Sequence, residues 1–257
     1  MKRVIKLLLF SIFVFIGCSN DDDKNNFYTS TNPKPKNIKY LALGDSYTIG
    51  ESVCQSCRFP EQLKDSLINY FSASDNVAVK VIAQTGWTTS NLKTAISNEN
   101  LSPEYDLVTL LIGVNNQYQN KPFSLYETEF PELLQTAIVL AKGNLNRVVV
   151  VSIPDYAYTP FGQSSSNPGN ISNQLDQYNL FAKNHAESLG ISFVNITDIT
   201  REGLINTALV AQDNLHPSEL AYSKFVERIL PLAKKNWEFN IFIVPEPIVP
   251  LSHQFPV

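Results

Sequence analysis

The chain has 257 residues, 44% of them hydrophobic, which is enough for one globular domain with a sizeable core. Its formal net charge is −4, from 20 basic and 24 acidic residues, and no long run of Lys or Arg occurs beyond the N-terminus. Because phosphate binding needs a clustered positive surface, a nucleic-acid partner is not expected.

The N-terminus has the layout of a secretory signal peptide. Basic side chains are concentrated in residues 1–6, and residues 7–16 are apolar except for Ser11. This apolar stretch is too short to span a bilayer as a mature helix. The sequence therefore predicts an exported protein whose signal peptide covers residues 1–17.

The signal-like segment ends at a cysteine. The residues Phe15-Ile16-Gly17-Cys18 resemble a bacterial lipobox, in which the cysteine becomes lipid-modified, although Phe15 stands where leucine is usual. The acidic residues 21–23 resemble the surface-export signal of lipoproteins in Bacteroidetes-type bacteria. The resemblance implies a protein anchored through lipid on Cys18 to the outer membrane or cell surface, with more than one acyl chain for stable attachment. A plain cleaved signal peptide with an incidental cysteine is the alternative.

Two segments flank the region that can form a core. Residues 18–36 are polar and cannot bury a core, so they are predicted to be a flexible, lipidated tether. Residues 237–257 contain four prolines, which rule out a continuing helix, and no function follows for this tail. The folded domain is therefore predicted over residues 37–236.

Within this domain, short apolar runs alternate with helix-type patterns. Strands that are apolar on both faces indicate a parallel sheet covered by helices on both sides, with ligands at the carboxyl ends of the strands. The strands are predicted over 38–43, 77–83, 107–112, 147–153 and 191–196, and the helices over 59–71, 89–96, 122–142, 174–189 and 217–235.

Residues that can carry chemistry follow the predicted strands. Gly44-Asp45-Ser46 places a serine at a sharp strand-to-helix turn, which exposes its Oγ, but a serine hydroxyl needs a base to act as a nucleophile. Asp213 precedes His216 by three residues, so the carboxylate can reach Nδ1 while Nε2 faces a serine. Taken alone, this Asp-x-x-His-Pro segment is equally well an N-capping turn.

Two further strand ends carry groups that can stabilise an oxyanion. Gly86 follows the second strand, where a glycine lets a backbone N–H approach a substrate closely. Asn115 follows the third strand, where its side-chain amide can donate to a developing negative charge. An ordinary turn glycine and an ordinary turn asparagine are the alternatives.

The order of these motifs resembles the SGNH (GDSL-type) hydrolase family. The set Gly-Asp-Ser, Gly, Gly-x-Asn and Asp-x-x-His-Pro falls on successive strand ends, and the resemblance covers roughly residues 38–236. The stretches 41–51 and 110–117 are similar to a bacterial esterase branch of the family. The resemblance implies a three-layer α/β/α sandwich with a five-stranded parallel sheet, a flavodoxin-like fold, and five strands are counted independently above.

The same resemblance implies roles for the site residues. Ser46 would be the nucleophile, and Asp213 and His216 would complete its triad. The backbone N–H groups of Ser46 and Gly86 and the amide of Asn115 would form the oxyanion hole. Many relatives have an aspartate directly after this asparagine, whereas this chain has a second one; little catalytic effect is expected, because the hole needs Asn115.

These roles imply a serine esterase that forms an acyl-enzyme on Ser46 and needs no cofactor. No His and Cys residues stand at zinc spacing, so no metal is expected. The expected substrates are small-molecule, glycan or lipid esters with small acyl groups, such as O-acetyl groups on carbohydrate, and the protein is expected to act as a monomer. The alternatives are a lysophospholipase or thioesterase with a longer acyl pocket, and a non-catalytic glycan-binding lipoprotein.

Two features lie close to the predicted site. Cys54 and Cys57 are predicted to form a local disulfide in an exported protein, with a redox role as the alternative. The predicted loop 154–170 carries Tyr156 and Phe161, which either line a substrate pocket or pack the loop onto the domain.

Overall fold

The computed structural model describes residues 37–71 and 75–238. The expectations for the signal peptide, Cys18, the tether and the tail from residue 239 onward lie outside these residues. The strands are β1 (Asn37–Gly44), β2 (Asn76–Ala83), β3 (Leu107–Leu111), β4 (Val148–Val151) and β5 (Ser192–Val194). The α-helices are α1 (Ser46–Ile49), α2 (Phe59–Tyr70), α3 (Thr89–Asn98), α4 (Val114–Tyr118), α5 (Phe123–Leu140), α6 (Pro160–Gln163), α7 (Pro168–Ser188), α8 (Thr197–Thr200) and α9 (Glu219–Glu238).

The five strands form one parallel sheet in the order β2-β1-β3-β4-β5. Helices α2 and α9 pack together on one face, and α3, α5 and α7 pack on the other. The predicted fold class, a three-layer α/β/α sandwich with a flavodoxin-like strand order, is confirmed. The winding direction reverses between β1 and β3, and such a reversal opens a crevice outside the carboxyl ends of these two strands.

The central strands are apolar because both of their faces are covered. Every residue of β3 and of β4 is buried. Thr109 is the one hydroxyl in β3, and its Oγ1 lies 2.9 Å from the hydroxyl of Tyr40 on β1, so the two buried polar groups satisfy each other. The packing on both faces of these central strands holds their ends in place.

The boundaries of the five predicted helices lie within three residues of the prediction, except at the start of α7. Helix α7 begins at Pro168, six residues before the predicted start, because the Asn167 side chain caps it by accepting the backbone N–H of Asn170. Helix α9 ends at Glu238, two residues past the predicted domain end, and Trp237 packs edge-on against Phe71 with ring centroids 5.1 Å apart. The predicted loop 154–170 therefore contains α6 and the first turn of α7.

The segment after β4 is fastened to the domain by a buried carboxylate. Asp155 is fully buried, and its Oδ2 accepts from Arg201 Nε at 2.9 Å and from the Ser172 hydroxyl. Its Oδ1 accepts the backbone N–H of Ala157 at 3.0 Å. A buried charge is tolerated only when it is paired and hydrogen-bonded in this way. The contacts hold the segment against α7 and α8, beside the carboxyl edge of the sheet.

None of the helices in residues 37–71 and 75–238 combines the length and the apolar character needed to cross a membrane.

Candidate active site

Ser46 lies at the first residue of α1, directly after the central strand β1. The turn between them is too tight for a side chain at Gly44, where a Cβ atom would lie 2.1 Å from Thr48 Oγ1 and 2.5 Å from the carbonyl oxygen of Leu111. Asp45 caps α1 by accepting the backbone N–H of Tyr47 at 3.1 Å. The turn therefore places the serine at the carboxyl edge of the sheet.

Asp45 is a cap residue and has no access to solvent. Its side chain is fully buried, and this burial raises the pKa of the Asp45 carboxyl to about 7, against the lowering effect of the backbone hydrogen bonds. The carboxyl does not line a cavity with Ser46. Its position agrees with the interpretation of Asp45 as a turn residue.

His216 and Asp213 form a close pair. Nδ1 of His216 lies 2.5 Å from Oδ2 of Asp213, while Oδ1 of the same carboxylate accepts the backbone N–H groups of Leu215 at 2.9 Å and of His216 at 3.0 Å. The helix that follows begins only at Glu219, and its N-terminal N–H groups are capped by Ser218, which accepts from Ala221. The Asp213 turn therefore orients the imidazole and is not a helix cap.

The carboxylate of Asp213 is held ionised. Burial by itself would raise its pKa, but hydrogen bonds from the side chains of Ser52 and His216 and from two backbone N–H groups outweigh burial and lower the pKa of Asp213 to about 2. Asp213 is therefore a stable acceptor for the Nδ1 proton at any pH well above 2. The Tyr47 ring also packs edge-on against the imidazole, with ring centroids 5.7 Å apart.

Ser52 is a functional neighbour that the sequence analysis missed. Its hydroxyl donates to Oδ2 of Asp213 at 2.6 Å, the oxygen that also faces His216. Ser52 has a left-handed backbone conformation, with φ of 65°, and the Cys54–Cys57 disulfide closes the turn that follows it. No local sequence signal marks this serine, because its partner lies 161 residues further along the chain.

Two of the three predicted oxyanion donors, Gly86 and Asn115, lie in the segments that follow β2 and β3. Gly86 has φ of 85°, and an added Cβ would meet nothing within 4 Å, so the left-handed backbone and not the available space favours glycine here. Asn115 is 9% exposed, and its Nδ2 donates to the carbonyl oxygen of Trp87 at 3.0 Å. This bond uses one amide hydrogen, and the other remains for a ligand.

Asn116 has a structural role next to the candidate oxyanion donor. It is fully buried, its Oδ1 accepts the backbone N–H of Thr89 at 2.9 Å, and its Nδ2 donates to Thr89 Oγ1 at 2.7 Å. The Thr89 hydroxyl in turn donates to the carboxylate of Glu129. Because that proton is already engaged, residue 116 must donate to Thr89 Oγ1, which an amide does and a carboxylate cannot.

Four of the five candidate residues meet in one cavity of about 300 Å³, here called the Ser46 pocket. Asp213 lies behind His216 and outside this lining. Between the described residues no hydrogen bond joins Ser46 Oγ to the imidazole; catalytic bonds of this kind often tighten only when substrate binds. The pocket is lined by Ser46, Tyr47, Thr85, Gly86, Val114, Asn115, Tyr118, Tyr156, Phe161, Leu215 and His216.

The sequence left open whether the aromatic residues after β4 line a substrate pocket or pack the loop onto the domain, and the structure shows both roles. Tyr156 and Phe161 line the Ser46 pocket, whereas the Tyr158 ring lies outside it and packs under the Arg201 guanidinium, 5.8 Å from the ring centroid. Tyr118 on α4 also lines the pocket and was not predicted. In residues 37–71 and 75–238, no group of His, Cys, Asp or Glu is arranged to hold a metal ion.

The model of the GDSL-like lipase/acylhydrolase family matches residues 42–224. The match covers more than half of the chain and includes all five candidate site residues. The chain belongs to this family. It is therefore an SGNH/GDSL-type carboxylic ester hydrolase, in agreement with the order of motifs in its sequence. Among curated proteins, no sequence matches this GDSL-type hydrolase.

Solved structures share the fold of this GDSL-type hydrolase. A member of the lipolytic G-D-S-L family from Veillonella parvula has a TM-score of 0.59 and 18% identity, over 77% of this chain and 99% of its own. An acetylxylan esterase from Geobacillus stearothermophilus has a TM-score of 0.58 and 19% identity, over 78% and 95%. A lipase/acylhydrolase from Enterococcus faecalis has a TM-score of 0.58 and 19% identity, over 76% and 94%.

The Ser52 contact makes a prediction about the Asp213 carboxylate. Replacing Ser52 with alanine removes a donor to the charged form, so the pKa of Asp213 should rise from about 2 toward the ordinary value of about 4. Because the folded-state pKa lies below the unfolded one, Asp213 contributes stability above about pH 4 that is lost as pH falls toward 2; the variant should reduce this contribution. A ¹³C NMR titration of the carboxyl group measures the shift.

Ser56→Ala is the matched control for this measurement. Ser56 lies in the same turn, but its hydroxyl faces Cys54 Sγ at 3.2 Å and makes no contact with Asp213. An Asp213 pKa that stays unchanged in Ser52→Ala, or that shifts equally in Ser56→Ala, would contradict the assigned contact.

Proposed function

We propose that this protein is an esterase that removes small acyl groups through an acyl-enzyme on Ser46. The observation that carries the proposal is the pairing of His216 with an ionised Asp213 at the wall of a pocket that also contains Ser46, Gly86 and Asn115. A nucleophile, a base with its orienting carboxylate and oxyanion donors are the groups that acyl transfer requires.

In the first half of the reaction, Ser46 Oγ attacks the ester carbonyl carbon and its proton passes to Nε2 of His216. Asp213 keeps the other imidazole proton on Nδ1 and stabilises the imidazolium that forms. The backbone N–H groups of Ser46 and Gly86 and the amide of Asn115 stabilise the oxyanion. One such donor typically contributes about 3–4 kcal/mol of barrier lowering.

The first half ends when the ester C–O bond breaks and the imidazolium gives its proton to the departing alcohol, which leaves the acyl group on Ser46 Oγ. In the second half, His216 removes a proton from water as the water oxygen attacks the acyl carbon. The bond from the acyl carbon to Ser46 Oγ then breaks, Oγ takes the proton back from the imidazolium, and the acid is released. The Trp87 carbonyl holds the Asn115 amide in place throughout, so this donor costs no reorganisation when charge develops.

The shape of the pocket favours small acyl groups. The Ser46 pocket is open to solvent on one side, and the cavity behind His216, bounded by Pro154, Thr200 and Val210, measures only about 10 Å³. That volume is about one water molecule and leaves no tunnel for an alkyl chain. An acyl chain therefore has the Ser46 pocket of about 300 Å³ and no deeper extension behind His216, unlike the longer acyl pocket expected of a lysophospholipase or thioesterase. The acetylxylan esterase that shares the fold is consistent with a small acyl group.

Ester hydrolysis tests the proposal directly. We expect the protein to release p-nitrophenol from p-nitrophenyl acetate and butyrate, with kcat/KM falling as the acyl chain lengthens. Ser46→Ala should lower kcat by at least about 10⁴-fold, since the nucleophile is lost while the fold is kept. Ser188→Ala, an exposed serine at the end of α7, should retain wild-type rates.

Three outcomes would count against this reading. Substantial activity in Ser46→Ala would remove that residue as the nucleophile. A preference for long acyl chains would favour a lipase. No turnover of any chain length would favour the non-catalytic glycan-binding protein.

We further propose that the protein is exported and anchored through lipid on Cys18, on the basis of the signal-like residues 1–17 and the lipobox-like sequence. Expressed in a bacterium, the wild-type protein should fractionate with membranes, whereas Cys18→Ser should give a soluble product or an uncleaved precursor. The acidic residues 21–23 remain in both forms, so charge alone does not alter the comparison. Membrane fractionation of Cys18→Ser as a cleaved product of mature length would refute anchoring through this residue.

A further inference from the structure

A polar cleft lies beside the Ser46 pocket, and the reaction steps above do not use it. The cleft has a volume of about 340 Å³ and runs between α4, α6 and the first turns of α7. Tyr118, Tyr156 and Phe161 line both the cleft and the Ser46 pocket, so the two spaces are adjacent and meet at these three rings. A substrate with its carbonyl carbon at Ser46 can therefore extend into the cleft.

The chemistry of the polar cleft selects against charged and alkyl ligands. Its lining contains amide, hydroxyl and aromatic side chains and no Asp, Glu, Lys, Arg or His. A phosphate, a choline group or coenzyme A would lose hydration here without meeting an opposite charge. An alkyl chain would cover amides such as Gln117 and Gln174 without replacing their hydrogen bonds to water. A neutral ligand rich in hydroxyl groups suits this lining.

One wall of the polar cleft is already organised. The buried side chain of Gln117 accepts from the Tyr156 hydroxyl at 2.8 Å and donates to Gln174 Oε1 at 2.8 Å. These bonds fix the Gln117 amide and the ring that separates the cleft from the Ser46 pocket. A fixed polar group lowers the entropy cost of binding a ligand.

The lining of the polar cleft also presents free hydrogen-bonding groups. The side chains of Asn120, Ser166 and Asn170 are exposed, and within the described part of the chain they have no hydrogen-bond partner. Each amide offers both a donor and an acceptor, which is the combination that a hydroxyl group needs. The Ser166 hydroxyl likewise both donates and accepts, so these two amides and one hydroxyl match a ligand with several hydroxyls.

Two exposed aromatic rings form a ledge between the polar cleft and the Ser46 pocket. Tyr118 is 54% exposed and Phe161 is 39% exposed, and their ring centroids lie 6.3 Å apart with an interplanar angle of 45°. Aromatic rings at the mouth of a polar site provide a large apolar contact area at little conformational cost. The C–H face of a pyranose ring covers such a ledge while its hydroxyls point to the surrounding amides.

We propose that the polar cleft binds the alcohol part of the ester, and that this alcohol is a neutral carbohydrate whose C–H face lies on Tyr118 and Phe161. The inference rests on the proposed function, because the ester carbonyl must lie at Ser46. The acyl group stays in the Ser46 pocket. When the ester C–O bond breaks, the sugar oxygen takes the proton from His216 and leaves through the open cleft.

The test compares two acetyl esters that differ only in the alcohol. Mono-O-acetylated methyl glucopyranosides and p-nitrophenyl acetate are assayed with the wild-type protein and with Asn120→Ala/Asn170→Ala. The ratio of kcat/KM for the sugar ester to kcat/KM for p-nitrophenyl acetate should fall about 10- to 30-fold in the double variant, since two neutral hydrogen bonds are lost. Asn173→Ala, an exposed asparagine of α7 outside the cleft, should keep the wild-type ratio.

Binding to an inactive protein separates failure of the cleft proposal from failure of the proposed function. Ser46→Ala should bind the acetylated glucopyranosides in saturation-transfer NMR, and the signal should be lost when Asn120→Ala and Asn170→Ala are added. An unchanged kcat/KM ratio in the double variant, together with unchanged binding, would overturn the cleft proposal. Absence of turnover with both esters in the wild-type protein, with binding intact, would overturn the esterase assignment and leave the carbohydrate cleft standing.

Discussion

The pairing of β1 with strands on both of its sides is the constraint on which the site depends. Because β1 lies between β2 and β3 and all three are parallel, the segments that follow them open at one edge of the sheet. Ser46, Gly86 and Asn115 each follow one of these strands. The close fit of Gly44 against Thr48 and the end of β3 then fixes the height of the serine above the sheet. Three separate sequence positions become one site through strand order alone.

The proposed base, His216, lies at the same edge of the sheet but on a turn that precedes a helix. His216 comes from the turn before α9, a helix that packs with α2 on the opposite face from α3, α5 and α7. Its orientation depends on Asp213. One carboxylate oxygen accepts backbone N–H groups of the turn, and the other faces Nδ1 of the imidazole. Ser52 adds a bond from the segment that follows α1, so the nucleophile turn and the base turn are linked through one carboxylate. Orientation of the imidazole is therefore coupled to the loop that the Cys54–Cys57 disulfide closes.

The sequence predicted well those features that depend on local pattern. Apolar runs such as 107–112 and 77–83 predicted their strands, and five such runs with alternating helices gave the fold. The motif spacing placed Ser46, Gly86, Asn115 and His216 on strand ends or turns that meet in one pocket. The start of α7 was mispredicted because Pro168-Gly169 is typical of a loop, whereas here the Asn167 cap and a proline in the first turn begin a helix.

Contacts between segments that are distant in the chain could not be predicted from the sequence. Ser52 and Asp213 lie 161 residues apart in the chain, and the Asp155–Arg201 ion pair joins two segments that share no motif. Tyr118 lies on a five-residue helix too short to show a periodic pattern, yet its side chain lines both the Ser46 pocket and the polar cleft. The proposed substrate-binding surface is thus the part of the molecule that is hardest to predict from the sequence, because it is built from exposed side chains of several elements.

Covalent trapping of the nucleophile tests the central claim most directly. A fluorophosphonate reacts with a serine Oγ activated by a neighbouring base, releases fluoride and leaves a stable phosphonyl ester. After labelling and digestion, mass spectrometry should find a single adduct, on the peptide that contains Ser46, and labelling should be far slower in His216→Gln. An adduct on any other serine, or equal labelling in His216→Gln, would contradict the account of Ser46 as a nucleophile activated by His216.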